Sequence, residues 1–528
     1  MAGQHTDSEV TMEAVGRRLS CDGELATVRY IGPVPPTTGL WLGVEWDNPD
    51  RGKHNGSHEG VQYFTCRHPT GGSFVRPTKV SFGVDYLTAL QQVYHNDMEM
   101  VKSEEIFIGK RKLKWRPCTK TRSFESLSSV LLDFCEVNGP GVDGDIKTTT
   151  PNVKWLDLSG SLLSNWVDVT DFAKQMDQLE GLQLSHNRLS LPLNPSAYSQ
   201  HFCSLKHLIL NKCALTWSQV LECAPMWPNL EELFLEGNHI TELQRPVQVL
   251  QSLRILSLAS NPLVQDSVNS LADLPRLELL NLSDTGLSVI RFEDADSGSK
   301  TVMFPALKKL VIDDNNITEW FVIDELAKLP SLIQLSCRRN QLMSSDKNPE
   351  TAEQMLIAKL GQLEVLNSSK INPSDRRGAE LDYLKMFGEK WLKSRGASQL
   401  NTQFFHQHPR YQALIEKYGA PEEGELKKRE SPMLKNKLIR ITFVFPDDPD
   451  RKPIEKKLPE LMLVQKVKGL LYRPIKVPAP DISLTYTSPK TVGAEFEIHN
   501  DLQTLQFYSI KDGDQVLVRW SRVRNEAE

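Results

Sequence analysis

The sequence lacks paired cysteines, long apolar runs and an excess of basic charge. Its eight cysteines include no CxxC pair, which argues against a zinc site or a disulfide framework and favours a reducing compartment. No apolar run is long enough to span a bilayer and the N-terminus has no basic-then-apolar signal, so we expect a cytosolic protein. With 62 Lys and Arg against 67 Asp and Glu, the net charge of −5 gives no chain-wide basic field to attract nucleic acid or anionic lipid.

Sequence motifs of catalysis are missing as well. The segment NGPGVDGD has no GK[ST] of a phosphate-binding loop, and neither HExxH nor GxSxG occurs. We therefore predict no catalytic residue, no metal ligand and no cofactor, and we do not expect an enzyme.

The length and the hydrophobic pattern predict a multidomain α+β protein. At 528 residues the chain is too long for one core, and about two to four domains are expected. We predict a disordered tail at 1–12, a small β-barrel domain at 13–95, a connector at 96–150, a solenoid with a C-terminal cap at 151–395, a linker at 396–435 and a β-grasp domain at 436–524.

The barrel prediction depends on short β-like runs. Residues 13–95 are rich in glycine, proline and tryptophan and contain LWLGVEW and GGSFVRPTKV, with no helical pattern between such runs. This composition is typical of a small antiparallel barrel. In the connector, SLSSVLLDFCEV fits a helix or a strand, and the pattern leaves that choice open.

From position 153 the chain repeats the leucine-rich pattern L-x-x-L-x-L-x-x-N. Eight units start at 153, 179, 205, 230, 253, 277, 307 and 332. Each unit can bury its leucines only against its neighbours, so we expect a curved solenoid with one short parallel strand per unit on its concave side. A segment beginning LEVLNSSK starts like another unit and runs into a polar helix, which predicts a cap. The recurring asparagines predict hydrogen bonds to the backbone at the turn after each strand: Asn187, Asn238, Asn261, Asn315 and Asn340.

After a charged linker the period of the hydrophobic pattern changes again. KLIRITFVF reads as a strand, LMLVQKVKGLLYRPI as an amphipathic helix, and ISLTYTS and DQVLVRW as further strands. A strand, strand, helix, strand, strand order in so short a segment predicts a β-grasp.

The segment GLWLGVEWDNPDRGKHNGSHEGVQYFTCRHPTGGSFVRPTKV resembles the CAP-Gly domain, whose signature is a GKNDG loop between a tryptophan-bearing strand and a YF pair. The resemblance implies recognition of C-terminal tails of the Glu-Glu-Tyr or Glu-Glu-Phe kind, as on α-tubulin. The residue types are consistent with binding such a tail. Glycines allow a peptide to approach the backbone closely, a lysine can face acidic side chains, and aromatic side chains can pack on a terminal ring.

The residues that carry over from the CAP-Gly signature fall into a loop and a set of groove aromatics. His54 stands where Asn is usual and Asn55 where Asp is usual, which changes the hydrogen bonds available to the peptide. Trp41 and Phe64 could alternatively belong to the core of a small barrel. The predicted peptide-binding residues are Trp41, Gly52, Lys53, His54, Asn55, Gly56, Phe64 and Phe74.

The C-terminal segment resembles a ubiquitin-like domain through IKDGDQVLVRW, and it ends without a diglycine, so conjugation is not supported. A CAP-Gly domain, leucine-rich repeats and a ubiquitin-like domain in this order resemble the tubulin-folding cofactor E family. The resemblance implies a chaperone of the cytoplasm and cytoskeleton that captures α-tubulin. It also implies action with the other tubulin-folding cofactors, B, C and D, in assembling or dissociating the αβ heterodimer, with GTP hydrolysed by tubulin itself.

The repeats also predict a partner surface. Strand residues flanking the last two leucines of each unit point away from the core onto the concave face. We expect Ile209, Phe234, Ile255 and Leu279 to lie side by side there, with Trp155 on the same face, and such an exposed apolar row usually marks a partner surface. We hypothesise that it docks the body of α-tubulin while the groove holds the tail; alternatively, a flanking segment covers the row.

Two other functions remain open at this stage. One is a microtubule-associated adaptor without chaperone activity, although the coiled coils or basic segments usual in such adaptors are not visible. The other is a proteasome-linked factor that delivers tubulin for degradation through the ubiquitin-like domain.

Overall fold

A computed structural model describes residues 12–100, 107–108, 111–112, 123–343, 349–394, 398–421, 438–487 and 495–520. The predicted tail at 1–12 lies outside these ranges except for Met12, as does the predicted linker from 422 to 435. The chain divides into two compact units, Met1–Pro421 and Glu422–Glu528. No helix within the described ranges is both long and apolar enough to cross a membrane.

The N-terminal domain is built on a four-stranded antiparallel sheet in the order β1-β2-β3-β6. Its core contains Leu19, Val28 and Val44, which are buried on the inner faces of β1, β2 and β3. Asp22 and Gly23 connect β1 to β2 with positive φ at both positions, as a tight two-residue hairpin requires. The strands are β1 (Arg18–Cys21), β2 (Glu24–Pro33), β3 (Leu40–Trp46), β4 (Ser57–His58), β5 (Val61–Gln62) and β6 (Gly72–Val75).

A helix joins this domain to the repeats, where the sequence pattern predicts none before residue 95. Strand β7 (Val84–Asp85) leads directly into α1 (Tyr86–Met100). The side chains of Tyr86 and Leu90 are fully buried in the hydrophobic core of the repeats, not in that of the barrel. Helix α1 therefore belongs structurally to the solenoid, and the part of the chain beyond the barrel begins earlier than expected. The short strands β8 (Phe107–Ile108) and β9 (Arg111–Lys112) follow as an antiparallel pair.

The solenoid sheet has eleven strands among the described residues. All eight predicted repeat strands occur, paired in parallel with their neighbours. The ambiguous segment of the connector forms two strands, and the first of them begins the solenoid by pairing with the first predicted unit. The strands of this sheet are β10 (Ser129–Leu131), β12 (Trp155–Asp157), β13 (Gly181–Gln183), β14 (His207–Ile209), β15 (Glu232–Phe234), β16 (Ile255–Ser257), β17 (Leu279–Asn281), β18 (Lys309–Val311), β19 (Gln334–Ser336), β20 (Val365–Leu366) and β21 (Ser369–Lys370). The second connector strand, β11 (Val137–Gly139), pairs instead with β7 of the junction.

Helices on the outer side of the solenoid are short. Helix α4 begins with a capping box, in which the Thr216 hydroxyl accepts from the Gln219 N–H and the Gln219 side chain accepts from the Thr216 N–H. The α-helices between the strands are α2 (Asp145–Thr149), α3 (Trp166–Gln175), α4 (Trp217–Cys223), α5 (Trp320–Leu326) and α6 (Pro349–Lys359).

The recurring asparagines form a buried ladder of backbone hydrogen bonds, as predicted. The Oδ1 atom of Asn261 accepts from the N–H groups of Asn238 and Ile240 at 2.9 and 3.0 Å. Its Nδ2 atom donates to the carbonyls of Leu235 and Leu258, both at 2.9 Å. One side chain thus satisfies four backbone groups from two adjacent units that water does not reach.

The C-terminal cap is larger than the sequence predicts. Two helices occupy residues 398–418, where the pattern indicates the first part of a linker. Their side chains Phe404 and Tyr411 pack with Tyr383 and Trp391 of the preceding helix in a separate hydrophobic cluster. The cap helices are α7 (Pro373–Ser394), α8 (Ser398–Gln407) and α9 (Tyr411–Tyr418).

The described part of the second unit is a β-grasp, with a mixed five-stranded sheet in the order β23-β22-β26-β24-β25 and one α-helix packed on it. Val467 and Leu471 of the helix pack against Ile441 of the sheet. The short strand β25 is the element that the sequence pattern does not predict. The elements are β22 (Leu438–Val444), β23 (Ile454–Pro459), α10 (Val464–Ile475), β24 (Ile482–Thr487), β25 (Phe496–Ile498) and β26 (Gln515–Trp520).

Candidate peptide groove and concave repeat surface

The glycine-rich loop lies between β3 and β4 of the barrel, and two of its glycines have no room for a side chain. A Cβ atom at Gly52 would lie 1.9 Å from the carbonyl oxygen of Thr70. At Gly56, where φ is +100°, a Cβ would lie 2.0 Å from the carbonyl oxygen of Phe64. The loop is therefore packed tightly onto the segment before β6, and its shape depends on both glycines.

The two residues that depart from the usual CAP-Gly loop are used inside the loop itself. His54 Nδ1 accepts from the N–H of Gly56 at 3.0 Å, and the His54 carbonyl accepts from the N–H of Gly72 at 2.7 Å. The Asn55 side-chain oxygen accepts from the Ser57 hydroxyl at 2.7 Å. Burial, followed by the neighbouring charges of His58 and Lys53, lowers the pKa of His54, so the ring is neutral near pH 7 and keeps its acceptor nitrogen.

Lys53 points its side chain into solvent while its backbone is fixed. Its N–H donates to the carbonyl of Gly72 at 2.7 Å, and its side chain is exposed. An ammonium group on an anchored backbone is suited to meeting carboxylates of a peptide.

Phe74 lies at the centre of an aromatic cluster beside the loop. Its ring centroid is 5.1 Å from that of His54, 5.4 Å from Tyr63 and 5.5 Å from Phe64. Phe74 is half-buried, whereas Phe64 is only 7% exposed and lies against Gly43 and Gly56. Phe64 therefore packs beneath Phe74 and outside the barrel's core cluster, and Phe74 offers a surface. Tyr30 and Tyr63, 5.2 Å apart, extend the aromatic surface and were not among the predicted residues.

Trp41 is held at the groove by an arginine that the sequence analysis did not select. The Arg76 guanidinium lies 3.8 Å from the Trp41 ring centroid and donates to the carbonyls of Thr38 and Leu40 at 2.8 and 3.1 Å. The indole Nε1 of Trp41 donates to the Thr37 hydroxyl at 2.7 Å. Trp41 is half-buried, so one face is covered by the guanidinium and the residue is not part of the barrel core.

The concave face of the solenoid carries the predicted apolar residues, in a different arrangement from the one expected. Ile209 pairs with Phe234 at the third strand position, and Ile255 pairs with Leu279 at the first. The prediction of one side-by-side row is therefore wrong, because the two pairs lie in adjacent rows two residues apart along the strands. All four side chains are partly exposed.

Trp155 lies at the N-terminal end of this face. Its ring fills the space above Gly181, where a Cβ would lie 2.1 Å from the indole. The Trp155 and His207 ring centroids are 6.2 Å apart, and His207 Nδ1 lies 2.9 Å from a carboxylate oxygen of Glu232. We call the surface formed by Trp155, Ile209, Phe234, Ile255 and Leu279 the concave patch.

Neither metal binding nor a reactive cysteine is indicated by the described residues. No group of three or more His, Cys, Asp or Glu side chains within these ranges has the arrangement of a metal site. The cysteines described are free thiols, and burial raises the pKa of Cys66, beside the groove, to about 11.

Comparisons with known proteins match the same regions. Family models match the CAP-Gly domain at residues 15–80 and the leucine rich repeat at residues 228–287. Tubulin-specific chaperone E of Danio rerio is 57% identical over 96% of this chain and 99% of the relative. Tubulin-specific chaperone E of Homo sapiens is 48% identical over 97% of this chain and 99% of the relative. The solution structure of the C-terminal ubiquitin-like domain of mouse tubulin-specific chaperone e is 46% identical, covers 18% of this chain and 95% of that domain, and has a TM-score of 0.16.

Proposed function

The chain belongs to the tubulin-specific chaperone E family, and on this premise we propose that it is a non-enzymatic chaperone that binds α-tubulin. Family membership over nearly the full length is the observation that carries the proposal. The chaperone holds the acidic-aromatic tail of α-tubulin in the groove and the body of α-tubulin on the concave patch. It acts in the cytoplasm and at the cytoskeleton, with tubulin-folding cofactors B, C and D, in assembly and dissociation of the αβ heterodimer.

The geometry of the groove supports the first contact. Phe74, Trp41 and Tyr63 offer ring faces and edges for a terminal aromatic residue. Lys53 supplies a positive charge beside them, next to a loop whose glycines allow a peptide backbone to approach.

Two contacts on one protein act together. The barrel and the repeats belong to one compact unit, so tail binding raises the effective concentration of the tubulin body near the concave patch. Two individually weak sites then give one tight complex.

Replacing Lys53 with alanine tests the groove. Losing a charge-assisted contact of about 1.5–3 kcal/mol is expected to weaken tail binding about 10- to 100-fold. Purified protein is mixed with native αβ-tubulin, and heterodimer dissociation and retention of α-tubulin are followed by sizing and light scattering. Lys79→Ala, at another exposed lysine of the same domain, is the matched control.

The outcomes of this experiment separate the candidate functions. Dissociation by wild type that is lost in Lys53→Ala supports a chaperone that grips the tail. Dissociation that is equally strong in both variants contradicts the groove contact. Binding by wild type without any dissociation favours the adaptor, or a chaperone that needs its cofactor partners.

Charge reversal on the concave patch tests the second contact. Phe234→Glu combined with Ile255→Lys places charges in the apolar surface, and we expect capture of α-tubulin to weaken at least tenfold with the groove intact. The control is Val247→Glu with Val302→Lys, two exposed valines outside the patch. Unchanged capture by a folded Phe234→Glu/Ile255→Lys variant, measured by the same sizing assay, would exclude the patch as the docking surface.

A link to the proteasome is a second proposal, favoured by the surface of the β-grasp unit. Leu502 and Phe507 are 70% and 60% exposed there, and exposed apolar side chains of this size often mark a partner surface. Binding of the full chain to isolated proteasome receptors tests it, and no binding at micromolar concentrations would reject it.

A further inference from the structure

A cleft rich in arginine lies where the N-terminal barrel meets the first repeats. It has a volume of about 520 Å³. The barrel contributes Arg17, Arg29 and Arg67, and the repeats contribute Arg188 and the hydroxyl of Ser190. Four guanidinium groups from two domains thus face one space, although the protein as a whole carries a net charge of −5.

The carboxylates around the cleft neutralise only part of this charge. Glu45 is shared by two arginines, since it accepts from Arg29 at 2.6 Å and lies 3.3 Å from Arg67. Asp47 forms an ion pair with Arg18, a buried side chain outside the cleft lining, and its negative charge also acts on Arg188. One carboxylate for two guanidinium groups leaves a surplus of positive charge on the barrel side.

The two remaining arginines have no carboxylate in salt-bridge contact among the described residues. Arg188 donates to the backbone carbonyls of Lys212 and Asn187 at 2.6 and 3.3 Å. The guanidinium of Arg17 lies 5.0 Å from the ring centroid of Phe82. Each of these groups keeps N–H donors for an incoming carboxylate, and a guanidinium can bind a carboxylate with two parallel hydrogen bonds.

One further acidic group lines the cleft and another lies near Arg17, and both limit the surplus of positive charge. Glu13 lines the rim of the cleft. Asp168 is held at the start of α3, where Asn165 Nδ2 donates to it at 2.9 Å, and its negative charge acts on Arg17. With Arg18 and Asp47 included, five arginines stand against four carboxylates, Glu13, Glu45, Asp47 and Asp168, so the net charge around the cleft remains positive.

The cleft begins beside the groove. Glu45, which binds two of the cleft arginines, lies opposite Gly72 in the pairing of β3 with β6. The N–H of Gly72 donates to the carbonyl of His54 in the glycine-rich loop at 2.7 Å. Arg67 follows the YF pair by only a few residues, so the same segment passes from the groove floor to the cleft. An extended peptide advances about 3.3 Å per residue, so a few residues connect the two sites.

We propose that this cleft binds the carboxylates of an acidic peptide upstream of the terminal residues held in the groove. The inference rests on the proposed function and adds a second recognition site to it, which selects partners by the number of acidic residues before the terminal motif. The attraction is electrostatic, so it weakens as salt rises, because exposed charges are screened over about 10 Å at 0.1 M salt.

Peptides of two lengths test the proposal on the full chain. A short peptide ends in Gly-Glu-Glu-Tyr, and a long peptide carries about eight further alternating Glu and Gly residues before it, enough for roughly 25 Å when extended. A third peptide has Gln in place of the added Glu. By fluorescence anisotropy at low salt, we expect the acidic long peptide to bind wild type about tenfold tighter than the other two.

Substitutions in the cleft identify the site. Arg17→Gln with Arg188→Gln is expected to remove the advantage of the acidic long peptide while binding of the short peptide stays the same. Arg245→Gln with Arg276→Gln, at two exposed arginines outside the cleft, is the matched control. Arg17→Gln alone replaces an exposed side chain, and a clear loss of the advantage in that variant is expected even where Arg188 is required for folding.

The possible results distinguish this proposal from the proposed function. An equal advantage for the acidic long peptide in wild type and cleft variants would overturn the cleft proposal, as would the absence of that advantage in wild type. If the short peptide fails to bind while the acidic long peptide binds through Arg17 and Arg188, the groove proposal fails and the cleft proposal stands.

Discussion

Replacing Asn261 with alanine is expected to lower the free energy of unfolding of the repeat domain by about 3–5 kcal/mol. The side chain satisfies two N–H groups and two carbonyls that are buried between adjacent units. Stranding a buried polar group costs about 1–3 kcal/mol, and alanine cannot replace any of the four bonds. Urea unfolding of the full chain, followed by circular dichroism, measures the change.

An asparagine at the surface of the same domain provides the control. Asn229 is exposed and donates one hydrogen bond, at 2.8 Å, to the carbonyl of Cys203. We expect Asn229→Ala to cost about 0.5–1.5 kcal/mol, since water replaces the lost partner. An equal loss of unfolding free energy in the two variants would show that the buried asparagine ladder stabilises the domain no more than a surface hydrogen bond does.

The second large effect is expected at the loop, where Gly56→Ala should abolish peptide binding and destabilise the barrel. The added Cβ would lie 2.0 Å from the Phe64 carbonyl oxygen, and φ is +100°. Backbone strain costs about 1–2 kcal/mol, and displacing the segment that carries Phe64 adds about 1–3 kcal/mol. Hydrogen exchange of residues 40–75 and binding of a Glu-Glu-Tyr peptide measure the two consequences.

Gly60→Ala is the control that separates the effect of backbone strain from the effect of a steric clash. The φ of Gly60 is +79°, and nothing lies within 4 Å of an added Cβ. Gly60→Ala is therefore expected to cost only the strain, about 1–2 kcal/mol, and to leave peptide binding intact. Normal peptide binding by Gly56→Ala would mean that the loop does not have to keep this packing to form the groove.

The repeats could be predicted from the sequence because they are specified by a local, periodic spacing of leucines. Leucine spacing fixes which residues enter the core, and all eight strands occur at the predicted positions. The arrangement of the concave patch was predicted less well. Ile209 and Ile255 lie on the same face of the sheet but at different positions of their strands, the third and the first. In-register parallel pairing aligns first positions with first positions and third with third, so these two residues are not neighbours across the strands.

The elements that sequence reasoning missed depend on distant contacts. Helix α8 reads as polar, and its stability comes from Phe404 packing on α7 and α9. Helix α1 follows a strand directly and is stabilised by burying Tyr86 in the repeats. At the groove, Tyr30 lies in β2 and Arg76 directly follows β6, both about 20 residues from the loop in sequence, and pairing of these strands with β3 brings them to it. No local motif could have identified them.

Several contacts brace the described part of the junction between the barrel and the repeats. Strand β7 pairs with β11, the Tyr86 hydroxyl is 3.1 Å from that of Thr150, and Asn138 donates to the carbonyl of Phe82 at 2.9 Å. These contacts restrain changes in the distance between the groove and the concave patch. If the proposed function is right, a partner whose tail and body are spaced differently must change its own shape to occupy both proposed sites, so that the binding energy of the second contact becomes available to deform the partner.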